Sequence, residues 1–194
     1  MQVAGGGFEQ RYNAQAAVDA DTLLVVAQGL TQAGNDKQQV VPMLVELKAL
    51  PASLGHVQRL LGNCGYFSAH NVAACEAAEI EAYLAVAREE HHPGWKAHFE
   101  DPAPLATDAT PQQRIAHKLK SQPGRQLYAL RKQTVEPVFG ITKSVMGFRQ
   151  FMLRGKDKVS GERRLVCLVW NLERMAVLRH KSVHYDLPMP LIYL

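Results

Sequence analysis

The chain has 194 residues, 47% of them apolar, and a net charge of +4, which is enough for one domain with a sizeable core. No apolar run reaches the ~18 residues of a membrane span, Met1 to Gly7 is small and polar, unlike a secretory leader, and three scattered cysteines argue against a disulfide framework or a CxxC metal site. The expectation is a protein of the reducing cytoplasm, with no membrane partner. The net charge hides an asymmetry. Residues 1–110 carry 6 Lys/Arg against 13 Asp/Glu, a balance of −7, whereas residues 111–164 carry 13 against 3, a balance of +10. A basic block of that size attracts a polyanion through counterion release, or else forms a solvated helical face.

In chain order, Phe8 to Ala20 alternates after Gly5-Gly6-Gly7, with Tyr12, Ala14, Ala16 and Val18 on one face, and reads as a strand. Leu23 to Gln32 is a second strand, apolar at its start, and the short turn between them favours an antiparallel hairpin. Asp36 with Gln39 fits a capping box for a helix that Pro42 kinks or delays. His56 to Gly62 reads as a third strand, Ser68 caps a helix over 69–78, and Glu81 to Ala87 is a fourth strand, so 56–87 forms a βαβ unit. Residues 88–125 are rich in proline and glycine and read as an exposed insertion with a short helix over Pro111 to Lys120. Within it, His91, His92 and His98 lack Cys or Asp at ligand spacing and read as a solvated loop.

From Arg125 the helical period returns through Leu127, Leu130, Thr134, Val138, Ile141 and Val145. Glu136 falls off that stripe, and Pro137 follows it. Either a helix starts near Thr134 or it kinks there. Gly147 to Gly155 is a basic-aromatic segment. Glu162 to His180 is a final helix with Leu165, Leu168, Leu172 and Met175 at core spacing, and the tail from Val183 is assigned no structure. The order β-β-α-β-α-β-insertion-α-α is α/β with a mixed sheet flanked by helices. It would match a ribonuclease-H-like sheet lacking its first strand.

Several segments in order resemble the C-terminal part of a DDE transposase of bacterial insertion sequences. They are Gly7-Phe8-Glu9-Gln10-Arg11-Tyr12-Asn13-Ala14-Gln15-Ala16-Ala17-Val18-Asp19, Asn35-Asp36-Lys37-Gln38-Gln39, Leu61-Gly62-Asn63-Cys64-Gly65-Tyr66-Phe67-Ser68, Val135-Glu136-Pro137-Val138-Phe139-Gly140 with Lys143, Gly147-Phe148-Arg149-Gln150-Phe151 with Arg154-Gly155, and Trp170-Asn171-Leu172. The resemblance covers roughly 7–180. It implies a partial catalytic domain over 1–180, with a tail over 181–194. It also implies insertion-sequence DNA ends as partner, with homo-oligomerisation open.

The family's three carboxylates hold two divalent ions, usually Mg²⁺, for strand cleavage and transfer. By this resemblance Glu136 is the metal-ligating glutamate, and Asn63 stands where the second aspartate belongs. The first would precede residue 1. The expected function is therefore that of a transposase fragment without effective two-metal catalysis, so whether the chain is an enzyme stays open. The alternative is a non-catalytic nucleic-acid-binding module using the basic C-terminal half. Lys143, Arg149, Arg154, Lys156 and Lys158 are the expected DNA contacts. Asp19 and Asp36 are weighed as stand-in carboxylates and read as structural. Tyr66 reads as core or as a wall of the site rather than a nucleophile, and Cys64 lacks the nearby histidine a thiol nucleophile would need. No phosphate loop, nucleophile elbow or Rossmann glycine pattern supports a small-molecule enzyme.

Overall fold

The hairpin that opens the fold is built around one buried carboxylate. In the computed structural model, which describes residues 11–87, 101–180 and 191–194, β1 (Asn13–Asp19) pairs antiparallel with β2 (Val25–Thr31). Asp19 accepts from the Thr22 N–H at 2.9 Å and from the Thr22 hydroxyl, and Leu23 takes a positive φ of 61° to close the turn. The residues 8–10 expected to begin this strand, the glycines Gly5 to Gly7, and the histidines His91, His92 and His98 lie outside the described residues.

The alternation read for β1 holds, but both of its faces are buried. Ala16 and Val18 enter one apolar cluster with Val25, Val138, Cys167 and Trp170. Ala17 enters another with Val40, Leu44, Leu60 and Leu84. A strand covered on both sides has to pair its polar groups inside the protein, and Gln15 and Asp19 are buried as well.

α1 (Val40–Lys48) begins at Gln39 without a side-chain cap, so the expected capping box does not form. Asp36 turns toward β1 instead. Pro42 sits in the first turn of α1, where its missing N–H costs no helical bond. β3 (Arg59–Gly62) and β4 (Glu81–Leu84) are parallel and joined through α2 (Ala69–Ala77). Ser68 caps α2 as expected, accepting from the Asn71 N–H at 3.1 Å. Thr110 caps α3 (Pro111–Lys120) with a full capping box through Gln113.

Gln122-Pro123-Gly124, at the end of the proline- and glycine-rich stretch, is a helix start. α4 (Gln122–Ala129) has Pro123 in its first turn. A Cβ on Gly124 would stand 1.9 Å from the Lys118 carbonyl oxygen, so only glycine lets α4 begin this close to α3. A 3-10 segment leads into α5 (Val135–Ser144), which places Pro137 in the first turn rather than at a kink. The buried residues here are Tyr128, Thr134, Val138 and Thr142, while Leu130, Ile141 and Val145 are exposed, so the apolar stripe read from the sequence is partly out of phase.

α6 (Lys156–His180) docks on the hairpin through side chains that bond to backbone. Asn171 accepts from the Val25 N–H and donates to the Val25 carbonyl, both at 2.8 Å. Trp170 Nε1 donates to the Leu23 carbonyl at 2.8 Å, and Arg174 Nε to that of Thr22 at 2.6 Å. The buried face is Val159, Arg163, Cys167 and Trp170. Leu165, Leu168, Leu172 and Met175, expected in the core, are 51–64% exposed.

The tail supplies a further correction. β5 (Leu191–Tyr193) lies in the middle of the sheet, in the order β2-β1-β5-β3-β4. It runs antiparallel to β1 and parallel to β3, and Ile192 is fully buried. A chain end lacking caps or periodicity is recruited by the unpaired edges of two neighbouring strands. The result is a mixed α/β fold with five strands and six α-helices among the described residues.

Candidate functional site

The register through β5 sets the start of β1 beside the carboxyl end of β3, and a polar network fills that end of the sheet. Asp36 Oδ1 accepts from Asn13 Nδ2 at 2.7 Å and from Gln15 Nε2 at 2.8 Å. Gln15 Oε1 in turn accepts from the Tyr66 hydroxyl. Burial pushes the Tyr66 phenol far above its ordinary pKa, with the Asp36 charge adding to the effect. Tyr66 is therefore held in this network as a hydrogen-bond donor to Gln15.

Asn63 follows directly after β3. Its Oδ1 accepts from the Gly65 N–H at 2.7 Å and its backbone carbonyl from the Tyr66 N–H at 3.1 Å, which makes it the first residue of an Asx turn. A Cβ on Gly65 would lie 2.9 Å from Asn63 Oδ1 and 3.0 Å from Asp36 Oδ2. Glycine thus lets these two oxygens flank one backbone position. Asp36 belongs to the Asn63 end of the sheet. Asp19 is level with Ile192 and Leu60, three residues back from Asn63 or about 10 Å along the strands. Its carboxylate is engaged with Thr22, its Oδ1 is buried without a partner, and burial raises its pKa above 3.8.

Glu136 occupies the first turn of α5, where the helix dipole favours a carboxylate. Its side chain is 60% exposed, with Oε1 3.9 Å from Arg131 Nη2. Its neighbour Val135 packs on the cluster of Leu61, Tyr83, Tyr128 and Leu191, which Cys64, the neighbour of Asn63, also joins. The backbones of the two expected site residues are thereby anchored to the same apolar cluster. Their side chains have separate engagements, Asn63 with Gly65 and Glu136 with Arg131. Among the described residues no group of three His, Cys, Asp or Glu side chains could hold a metal ion. The donor set does not fit a pair of divalent cations, because Asn63 is neutral and brings no charge to offset them.

The basic residues are gathered around the α5–α6 connection. Lys143 is exposed in the last turn of α5, and Arg149 Nε reaches its carbonyl at 3.4 Å. Gly147 and Gly155 take positive φ values of 72° and 86°, which lets the connection turn at both ends. Edge-on ring contacts from Phe151 to Phe148 and Tyr12, at 5.5 and 6.1 Å, hold it between those turns. The Glu162 carboxylate accepts from the N–H groups of Met152 and Leu153 at 2.8 and 3.0 Å. Arg154, Lys156 and Lys158 are all exposed around the first turn of α6.

Sequence reasoning missed Arg163. It is 4% exposed, its guanidinium carbon lies 5.0 Å from the Phe139 ring centroid, and its Nε is buried without a partner. Burial holds its pKa below the ordinary arginine value. Its place in the spacing Val159, Arg163, Cys167, Trp170 was the available signal, hidden because Arg163 was counted with the basic block.

No helix among the described residues is long and apolar enough to cross a membrane. No curated protein and no solved structure matches the chain. Residues 104–176 do match a family model, that of the transposase DDE domain. The matched stretch runs from before α3 to near the end of α6 and includes Glu136, whereas Asn63 and strands β1 to β4 lie before it. Over that stretch the chain is similar to a transposase DDE domain, in line with the resemblance.

Proposed function

We propose that the chain is a catalytic-domain part of a DNA transposase whose carboxylate set is too depleted for two-metal cleavage. The observation that carries this is the family match over 104–176, which contains Glu136 and the basic α5–α6 connection. The five-stranded sheet is compatible with the ribonuclease-H-like expectation. In this reading β5 stands in for the family's first strand, since it lies between β1 and β3, antiparallel to one and parallel to the other. Its residues Leu191, Ile192 and Tyr193 bring no carboxylate to the sheet.

The family's chemistry uses divalent ions, usually Mg²⁺. Glu136 is the one residue here in a family ligand position that still bears a charge, and it is exposed and drawn to Arg131. The neutral Asn63 closes its own turn.

DNA is the partner this reading assigns, through Lys143, Arg149, Arg154, Lys156 and Lys158. Three of these cations surround the start of α6, where the helix dipole disfavours positive charge. An incoming phosphate would relieve that conflict and also lie beside the N–H groups of the first turn. The second reading, a module that binds nucleic acid without acting on it, rests on the same basic surface.

The test is duplex-DNA affinity against salt concentration. A steep slope is expected, and replacing Arg149, Arg154, Lys156 and Lys158 with alanine should flatten it by about 3 to 4. Affinity indifferent to salt, or a slope unchanged by the four substitutions, would count against DNA as the partner.

A further inference from the structure

Helix α6 is apolar on two opposite faces, and the sheet covers one of them. The covered face carries Val159, Arg163, Cys167 and Trp170. About half a turn away stand Leu165 at 64% exposure, Leu168 at 53%, Val169 at 45%, Leu172 at 54% and Met175 at 51%. An apolar helix stripe is normally turned toward a core, so this second stripe lacks the cover its composition calls for. The patch extends beyond the helix. Glu162 holds the backbone of Met152 and Leu153 against the first turns of α6, which adds the 75% exposed Met152.

We propose that this face is a self-association surface on which α6 of a second copy of the chain packs antiparallel. The spacing of the stripe supports a second copy. Leu165, Leu168, Leu172 and Met175 are separated by three, four and three residues, which is the coiled-coil seam pattern. That spacing reads the same in both directions. An antiparallel copy therefore sets Leu168 opposite Leu172 and Leu165 opposite Met175, as a two-fold interface requires.

The area also suits a dimer. Six side chains exposing roughly 100 Å² each give about 600 Å² per copy, near 1,200 Å² for a pair, which is at the lower end of specific interfaces. No charged residue stands among the seam positions from Leu165 to Met175, so pairing buries no unpaired charge. The same absence of charge makes the face a poor match for nucleic acid. The seam from Leu165 to Met175 contains neither the carboxylate positions nor the residues of the basic connection, and the inference stands whether or not the chain binds DNA.

Sedimentation of the full chain tests it. A reversible dimer is expected, with a dissociation constant on the order of micromolar. Leu168→Glu with Leu172→Glu should weaken association by at least about 100-fold with an unchanged circular dichroism spectrum. Val145→Glu alters a still more exposed apolar residue off the stripe and should leave the dimer intact. If the glutamates disturb the helix, mixing Leu168→Cys and Leu172→Cys chains supplies the second measurement, because a disulfide between copies should form on mild oxidation. A monomer at about 100 µM, a dimer that survives both glutamates, or an absence of that crosslink would overturn the proposal.

Discussion

The sheet half and the helical half of the molecule treat their polar groups in opposite ways. In residues 11–87 the polar side chains near the carboxyl end of the sheet bond to one another: Asp36 to Asn13 and Gln15, Gln15 to Tyr66, Asn63 to Gly65. In residues 101–180 Arg163 is buried, but the basic residues of the α5–α6 connection stay in solvent, with Lys143, Arg149, Arg154, Lys156 and Lys158 all exposed. The first arrangement is internal and specifies a structure. The second leaves unspent charge available to a partner. The family match falls on the second half, and so do the residues to which a DNA-facing role is assigned.

The largest effect is expected where the two halves are joined. Trp170→Ala removes a buried ring and the bond from Nε1 to the Leu23 carbonyl, and should cost about 3 to 5 kcal/mol in denaturant unfolding. A loss below about 1 kcal/mol would mean that α6 is not docked on the hairpin as described.

A smaller effect probes the sheet half. Burial raises the pKa of Asp19, so just above pH 3.8 the folded state binds more protons at this group than the unfolded chain does. Its contribution to stability is present below 3.8 and is lost as the pH rises through the raised folded value. Asp19→Asn keeps an acceptor for Thr22 without the buried charge. It should raise stability at neutral pH by about 1 kcal/mol and flatten this part of the pH profile. A variant less stable than the parent at pH 7 would show that the carboxylate is better compensated than its unpartnered Oδ1 indicates.

The smallest effect concerns Glu136. With an exposed side chain and a 3.9 Å approach to Arg131, Glu136→Gln should change stability by no more than about 0.5 kcal/mol. A large loss would make Glu136 a structural residue and remove the reason to treat it as a surviving functional position.

Much of this contrast was legible in the sequence. The charge step near residue 110, the hairpin, the βαβ unit, the Ser68 cap and the bounds of α3 all follow from local pattern and turn chemistry. What was not legible depended on long-range choices. Asp36 had two uses, capping α1 or meeting Asn13 and Gln15 of β1, and only the fold decides between them. The apolar spacing of α6 supports two faces, and the sequence cannot say which of them the sheet takes. β5 has no periodicity of its own, and the unpaired edges of β1 and β3 define it. In the candidate site, Asn63 and Glu136 came from the family resemblance. Their separate engagements, with Gly65 and with Arg131, required coordinates.

The central claim is that the remaining carboxylates do not suffice for metal-dependent cleavage, and a DNA-nicking assay in Mg²⁺ tests it most directly. The full chain and its Glu136→Gln variant would be compared on supercoiled DNA, alongside a reaction without protein. Both proteins are expected to match the protein-free background. Robust Mg²⁺-dependent nicking by the unaltered chain, abolished in Glu136→Gln, would contradict it.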